Sequence, residues 1–264
     1  MVLAAIPFGL GIGLSLGMLG GGGSVLAVPV LVYILGQGVH QATTASLVVV
    51  TAGAVIGSLH HAREGRVCWR HAIAFTAPAL PGVLAGTALG QTVSGGALIA
   101  AFAVIMLLAA AATWRKARQQ GVVSRGETRP PACPPVQLAR DLAAGLLVGA
   151  MTGFFGVGGG FLIVPTLAIA LALALRLAVG TSLVIITATS LMALAAHLAA
   201  GRTLDLPLTA AMTLACVAGA LAGGRLASRL PQRQLGTAFA TFVALVATYL
   251  LISTTFLGGP PGSA

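Results

Sequence analysis

Acidic residues are almost missing from this sequence: four Asp/Glu stand against fourteen Lys/Arg in 264 residues, and charged residues make up 7% of the chain. A soluble domain carries about a quarter charged residues, so this composition cannot coat a water-exposed surface. That excludes a water-soluble enzyme or binding domain. Within the stretches 71–114, 142–175, 177–201, 206–224 and 234–264 there is no Lys, Arg, Asp or Glu at all. Asp141 and Asp205 are the only acids near the ends of these stretches, too few for a buried carboxylate relay or a sodium cage. The three cysteines, Cys68, Cys133 and Cys216, are an odd number without paired spacing, so the pattern offers neither a disulfide framework nor a CxxC metal or redox motif. No metal or cofactor motif is present.

What is abundant is apolar: 58% hydrophobic residues, with 36 glycines besides. The class is an all-α polytopic membrane protein. Division at glycine clusters and charges gives ten segments, near 1–19, 24–36, 42–61, 71–90, 95–114, 139–155, 160–175, 178–200, 206–225 and 234–257. The second and seventh are too short for a full span and suit half-helices or arms of re-entrant hairpins. The amino terminus lacks a basic region and a small-residue cleavage site, which predicts that it stays as the first membrane segment.

The formal charge of +10 reflects topology, not nucleic-acid binding, because the cations sit in the gaps between apolar segments. With alternating segments, the loops 62–70, 115–140, 176 and 225–233 share one side and hold thirteen of the fourteen cations. The positive-inside rule makes that side the cytoplasm of a bacterial inner membrane and puts both termini outside. The chain then divides into a first membrane repeat at 1–114, a basic and proline-rich cytoplasmic linker at 115–138, a second repeat at 139–258 and a short tail at 259–264. The linker reads as an orientation determinant and tether, the alternative being that its charges hold anionic lipid headgroups.

A shift of 136 positions places 21 of the 58 residues from Gly9 to Arg66 on identical partners without a gap. With five segments per copy, the second copy starts on the opposite side from the first, which predicts two inverted repeats. Such folds bind their cargo near the midplane, where the copies meet.

The foremost candidates there are the glycine clusters Gly20, Gly21, Gly22, Gly23, Ser24 and Gly156, Gly158, Gly159, Gly160. Near-consecutive glycines are poor helix material, which predicts unwound backbone. Main-chain N–H groups at such a break, beside the positive end of the next half-helix, form a nest for an anion. The alternative is a tight turn without a ligand. No Lys-Ser/Thr pair follows the glycines and no soluble strand–turn–helix unit surrounds them, so phosphate-loop and dinucleotide readings fail. The spacing Gly9, Gly13, Gly17 and Gly145, Gly149, Gly153 is a separate packing stripe. Ser46, Thr181 and Ser182, at matching segment starts, are further substrate-binding candidates. Thr43, Thr44, Thr51 and Thr187 are hydroxyls that can instead bond their own helix. His61 and His197 occupy matching segment ends, where they either cap a helix or carry a coupling proton. His60 and His71 have no counterpart and are expected at the interface.

The glycine clusters followed by Val-Pro, the Ser-Leu segment starts at Ser46 and Ser182, and the His-x-x-x-Gly-Arg turns at His61 and His197 together resemble the TauE/SafE family of sulfite exporters. The resemblance runs over nearly the whole chain in two copies. It implies a bacterial inner-membrane transporter for sulfite, sulfonates or related small organic anions. By position, the family's glycine turns correspond to Gly20 through Ser24 and Gly156 through Gly160, and its serine motifs to Ser46 and Ser182. One departure stands out. Where members often place an acid before Trp, this chain has Cys68 before Trp69, and in the second copy Asp205 is shifted by one place.

The resulting expectation is export of a small (organo)sulfur anion through a midplane site between inverted repeats, without a cofactor. A passive anion channel is the first alternative. An intramembrane hydrolase is the second, and it lacks a GxSxG elbow and acids to orient a histidine. A monomer and a homodimer are both compatible with the pattern.

Overall fold

The computed structural model describes residues 2–37, 39–90, 95–123, 133–155, 160–199, 205–229 and 232–256, and it is all-helical. Ten α-helices follow one another: α1 (Val2–Leu19), α2 (Ser24–Pro29), α3 (Val39–Arg63), α4 (Trp69–Gly90), α5 (Gly95–Val123), α6 (Leu138–Phe155), α7 (Gly160–Ile169), α8 (Leu175–Ala199), α9 (Leu206–Arg229) and α10 (Gln232–Phe256). Among the described residues, Gln41–Arg63, Leu175–Ala195 and Leu206–Ala227 are each long and apolar enough to cross a bilayer. Helices α2 and α7 have six and ten residues, about 9 and 15 Å of rise. After Pro29 the chain continues through one π-helical turn, Val30–Ile34. Proline has no N–H for the ladder, and a wider turn accommodates the gap. Helix α5 runs to Val123, so its last turns occupy the start of the stretch expected to be linker. There the Arg118 guanidinium lies 5.4 Å from the centre of the Trp114 ring, one turn back along the helix.

Two parallel helix pairs form the frame, and glycine lets their backbones touch. A Cβ on Gly13 of α1 would sit 2.0 Å from the Cys216 carbonyl oxygen of α9, and one on Gly223 of α9 would sit 2.4 Å from the Leu14 oxygen of α1. In the same way, a Cβ on Gly149 of α6 would lie 2.2 Å from the Ala79 oxygen of α4. The four-residue glycine stripes therefore act as packing faces, as their spacing predicts. Helix α3 runs antiparallel to α8, with Gly57 against Leu183 and Gly180 against Arg66, and α5 packs on α10. Ile12, Leu16, Phe75, Met106, Leu183 and Phe239 are buried between these layers, while Ile73, Leu84, Leu108, Leu214 and Leu245 stay exposed. A bundle apolar on both sides is one whose solvent is lipid.

The end of α3 and the starts of α4, α6 and α8 meet at one end of the bundle. The Cys68 N–H donates to Thr181 Oγ1 at 3.0 Å, and His71 at the start of α4 bonds Asp141 at the start of α6. Here the cysteine expectation is corrected: Cys68 and Cys133 form a disulfide, with Cα atoms 5.9 Å apart and a sequence separation of 65. Pairing needs only proximity in space, and the return of the chain ahead of α6 brings Cys133 onto the start of α4. Cys216 is a free, buried thiol.

Candidate substrate site at the helical hairpin tips

Helix α1 stops at Leu19 because Gly20 takes φ +72°, ψ −115°, a backbone conformation that only glycine adopts readily. Gly21, Gly22 and Gly23 then form a single 3-10 turn, and α2 begins at Ser24. The cluster expected to be unwound is thus a tight, buried turn, since a short 3-10 piece is a common way to reverse direction between helices. Gly23 abuts the Ile12 carbonyl oxygen and Ser15 of α1, so α1 and α2 form a helical hairpin with this turn at its tip. Helices α6 and α7 form the second hairpin: Ala170 to Ala172, just beyond α7, share a cavity wall with Asp141 at the start of α6. Of its tip, Gly160 is described, whereas Gly156, Gly158 and Gly159 lie outside the described residues.

The two tips touch. A Cβ on Gly21 would lie 1.5 Å from the Gly160 carbonyl oxygen, and a Cβ on Gly160 would lie 2.7 Å from Ser24 Oγ. From α8, Ser182 Oγ stands 2.5 Å from the Cβ position of Gly20. Gly20, Gly21, Ser24, Gly160 and Ser182 thus come together from both halves of the chain, with Gly22 against the Phe239 ring of α10. The hydroxyls are committed locally: Ser24 donates to Gly21 O at 2.7 Å, Ser182 to Val179 O at 2.8 Å and Ser46 to Thr43 O at 2.7 Å. Each retains acceptor capacity, and none has a free proton to offer. Thr181, fully buried, accepts the Cys68 N–H and so belongs to the α4 start. A void of about 10 Å³ lies close by, between α4, α6, α7 and α8, lined by Thr152, Thr189, Ile163 and Ile185. That is room for about one water.

Of the histidines, His61 is 2% exposed and its Nε2–H donates to Gly17 O at 3.2 Å, tying the end of α3 to the end of α1. His197 lies on α8, and its side chain is outside the described set. His60 pairs with Glu64 at 3.7 Å, and Glu64 with Arg66 at 2.6 Å. His71, at the start of α4, is 2% exposed and bonded to the fully buried Asp141 at the start of α6. Seventy positions separate them, and no periodicity or motif in either copy links the two, so nothing local in the sequence signals the pair.

Long apolar helices whose exposed faces carry large apolar side chains, with the exposed charges gathered near helix ends and connections, define a multi-pass membrane protein. Residues 5–250 match the family described as "Sulfite exporter TauE/SafE", and the chain belongs to that family. A probable membrane transporter protein of Xylella fastidiosa (strain 9a5c) is 37% identical over 179 residues, 65% of this chain and 64% of that protein. The match therefore spans somewhat under two thirds of that relative's length. The probable membrane transporter protein YunE of Bacillus subtilis (strain 168) is 25% identical over 82% of this chain and 83% of its own length. A probable membrane transporter protein of Methanocaldococcus jannaschii is 23% identical over 95% of this chain and 97% of its own length. No solved structure matches the chain.

Proposed function

We propose that this protein exports sulfite or a related small (organo)sulfur anion across the bacterial inner membrane, through a site where two inverted repeats meet. The family supports the cargo class. The reading of inverted repeats is supported by helix bounds: α1 and α6, α2 and α7, and α3 and α8 all begin 136 positions apart, the period of the sequence repeat. It is supported also by partners, because α1 packs on α9 as α6 packs on α4, while α3 meets α8 and α5 meets α10. Directions agree as well. The end of α1, at Gly17, touches His61 at the end of the bundle where α6 starts, which supports copies that run opposite ways. That same end gathers Arg63, Arg66, Arg70, Arg140 and Arg176, which favours the cytoplasm there and both termini outside, while the Cys68–Cys133 disulfide at that end is a feature that favours an oxidising compartment instead.

The observation that carries the site is the contact of Gly21 with Gly160. Two glycine tips from opposite copies, with the start of α7 and the Ser24 and Ser182 hydroxyl oxygens around them, form a closed gate. Separation of the tips exposes main-chain N–H groups, which hold an anion without a buried cation. An inside-negative potential favours anion exit by about 2.3 kcal/mol per charge per 100 mV, so facilitated export is energetically sufficient. The test is release of sulfite from loaded vesicles containing the purified protein. Saturable release that is lost in Gly160→Val and Gly22→Val, at normal yield of folded protein, is the expected result. Wild-type rates in both variants would sink the site, and unitary currents in place of saturable flux would make the protein a channel.

A further inference from the structure

The buried pair of His71 and Asp141 has more hydrogen-bond acceptors around it than a neutral histidine can serve. The Nδ1 of His71 faces Asp141 Oδ1, and its Nε2 faces the Pro134 carbonyl oxygen at 3.2 Å. A carbonyl oxygen only accepts, so Nε2 must carry a hydrogen. The Nδ1–carboxylate contact then needs a second proton, on the ring or on Asp141. Either way the pair is holding one proton more than neutral imidazole plus carboxylate. The second oxygen of Asp141, Oδ2, is buried without a hydrogen-bond partner on a residue that is 0% exposed. Both residues line a cavity of about 90 Å³ with Pro134, Pro135, Gln137, Arg140 and Ala170 to Ala172, large enough for a few waters.

We propose that the His71–Asp141 pair is the proton-binding site that couples anion movement to a proton gradient, in place of His61 or His197. This rests on the transport reading above. Loss of the proton leaves a single ring N–H for two acceptors, so one link must break: α4 to Asp141 of α6, or α4 to the segment at Pro134. The proton passes as H⁺ to cavity water, and no other bond changes. Helix α6 is the arm that ends at the second hairpin tip, and it is locked along α4 by backbone contact at Gly145 and Gly149. A change at the start of α6 is therefore delivered along a stiff pair to the gate. Among the described residues around the pair, α6 contributes Arg140 besides Asp141, and Arg140 is turned to Gln137 Oε1. The Pro134–Gln137 stretch brings no charge, the Ala170–Ala172 turn none, and α4 itself brings the exposed Arg70.

The experiment uses full-length protein in vesicles with sulfite as the probe, comparing wild type with His71→Gln, Asp141→Asn and Asp141→Glu. Two fluxes are followed: sulfite exchange at equal pH, and release driven by an imposed pH gradient, with proton movement recorded by a trapped dye. Sulfite's own protonation is common to every arm, so differences between proteins report the pair. The expected result is that His71→Gln and Asp141→Asn keep exchange within about threefold, lose at least tenfold of the gradient response and move one proton fewer per sulfite. Asp141→Glu restores part of both. If either neutral variant keeps the gradient response, or if wild type moves sulfite with no proton beyond sulfite's own, the coupling proposal is overturned while the transport reading stands. Loss of exchange together with gradient response in all three variants, at normal yield, makes the pair structural and overturns it too. Absence of any wild-type exchange overturns the transport reading and this proposal with it.

Discussion

Adding one methyl group at the hairpin tips gives a sharp measure of how closely the two halves approach. In Gly21→Ala the new Cβ would lie 1.5 Å from the Gly160 carbonyl oxygen, where an ordinary contact is 3.4–4 Å. The obstacle is backbone on both sides, so no rotamer change relieves it. The tips must part by about 2 Å, and overpacking of this kind costs about 3 kcal/mol or more. For a chain of this size that corresponds to a fall in Tm of roughly 6–12 °C. Gly11→Ala on α1 is the matched control, because a Cβ there meets nothing within 4 Å. It removes a glycine from a helix interior and is expected to be neutral or to stabilise by up to about 1 kcal/mol. Thermal unfolding in detergent, followed by loss of the monodisperse chromatographic peak, measures both. An unchanged Tm for Gly21→Ala beside an unchanged control would refute the contact between the tips and the closed gate built on it.

The remaining predictions concern links at the end of the bundle. Under non-reducing denaturation, mass spectrometry should find one alkylatable thiol, Cys216, and after reduction three; three without reduction would show that Cys68 and Cys133 are not paired. Asp141→Ala strands the His71 ring and should cost about 3 kcal/mol, with His71→Ala/Asp141→Ala together costing clearly less than the sum of the single changes in melting experiments. Additive losses would deny that they form a pair. Thr181→Val leaves the Cys68 N–H without its acceptor and should cost about 1–2 kcal/mol in the same assay, whereas no change would remove Thr181 from that role. An alkaline phosphatase fused after the last residue should be active under the proposed orientation; an inactive fusion with an active cytoplasmic reporter would invert it.

Sequence alone determined the lipid-facing character, because no soluble fold survives with so few charges. It also placed the helix starts to within a few residues, since glycine clusters and cations mark them for local reasons: backbone freedom at Gly20 and the cost of burying charge at Arg63 or Arg140. Helix ends were less legible, because α5 continues through Arg115 and Arg118 to Val123 and α7 stops early at Ile169. The glycine stripes were legible too, because a four-residue spacing is itself a statement about one helix face. Only tertiary structure decided which face met which neighbour. The parallel pairing of α1 with α9 and of α4 with α6, the approach of Gly21 to Gly160, the bond from Cys68 to Cys133 and the burial of His71 with Asp141 all join residues far apart along the chain. Each of these depends on how the helices converge in space, and composition and period along the chain carry no information about distances of that kind.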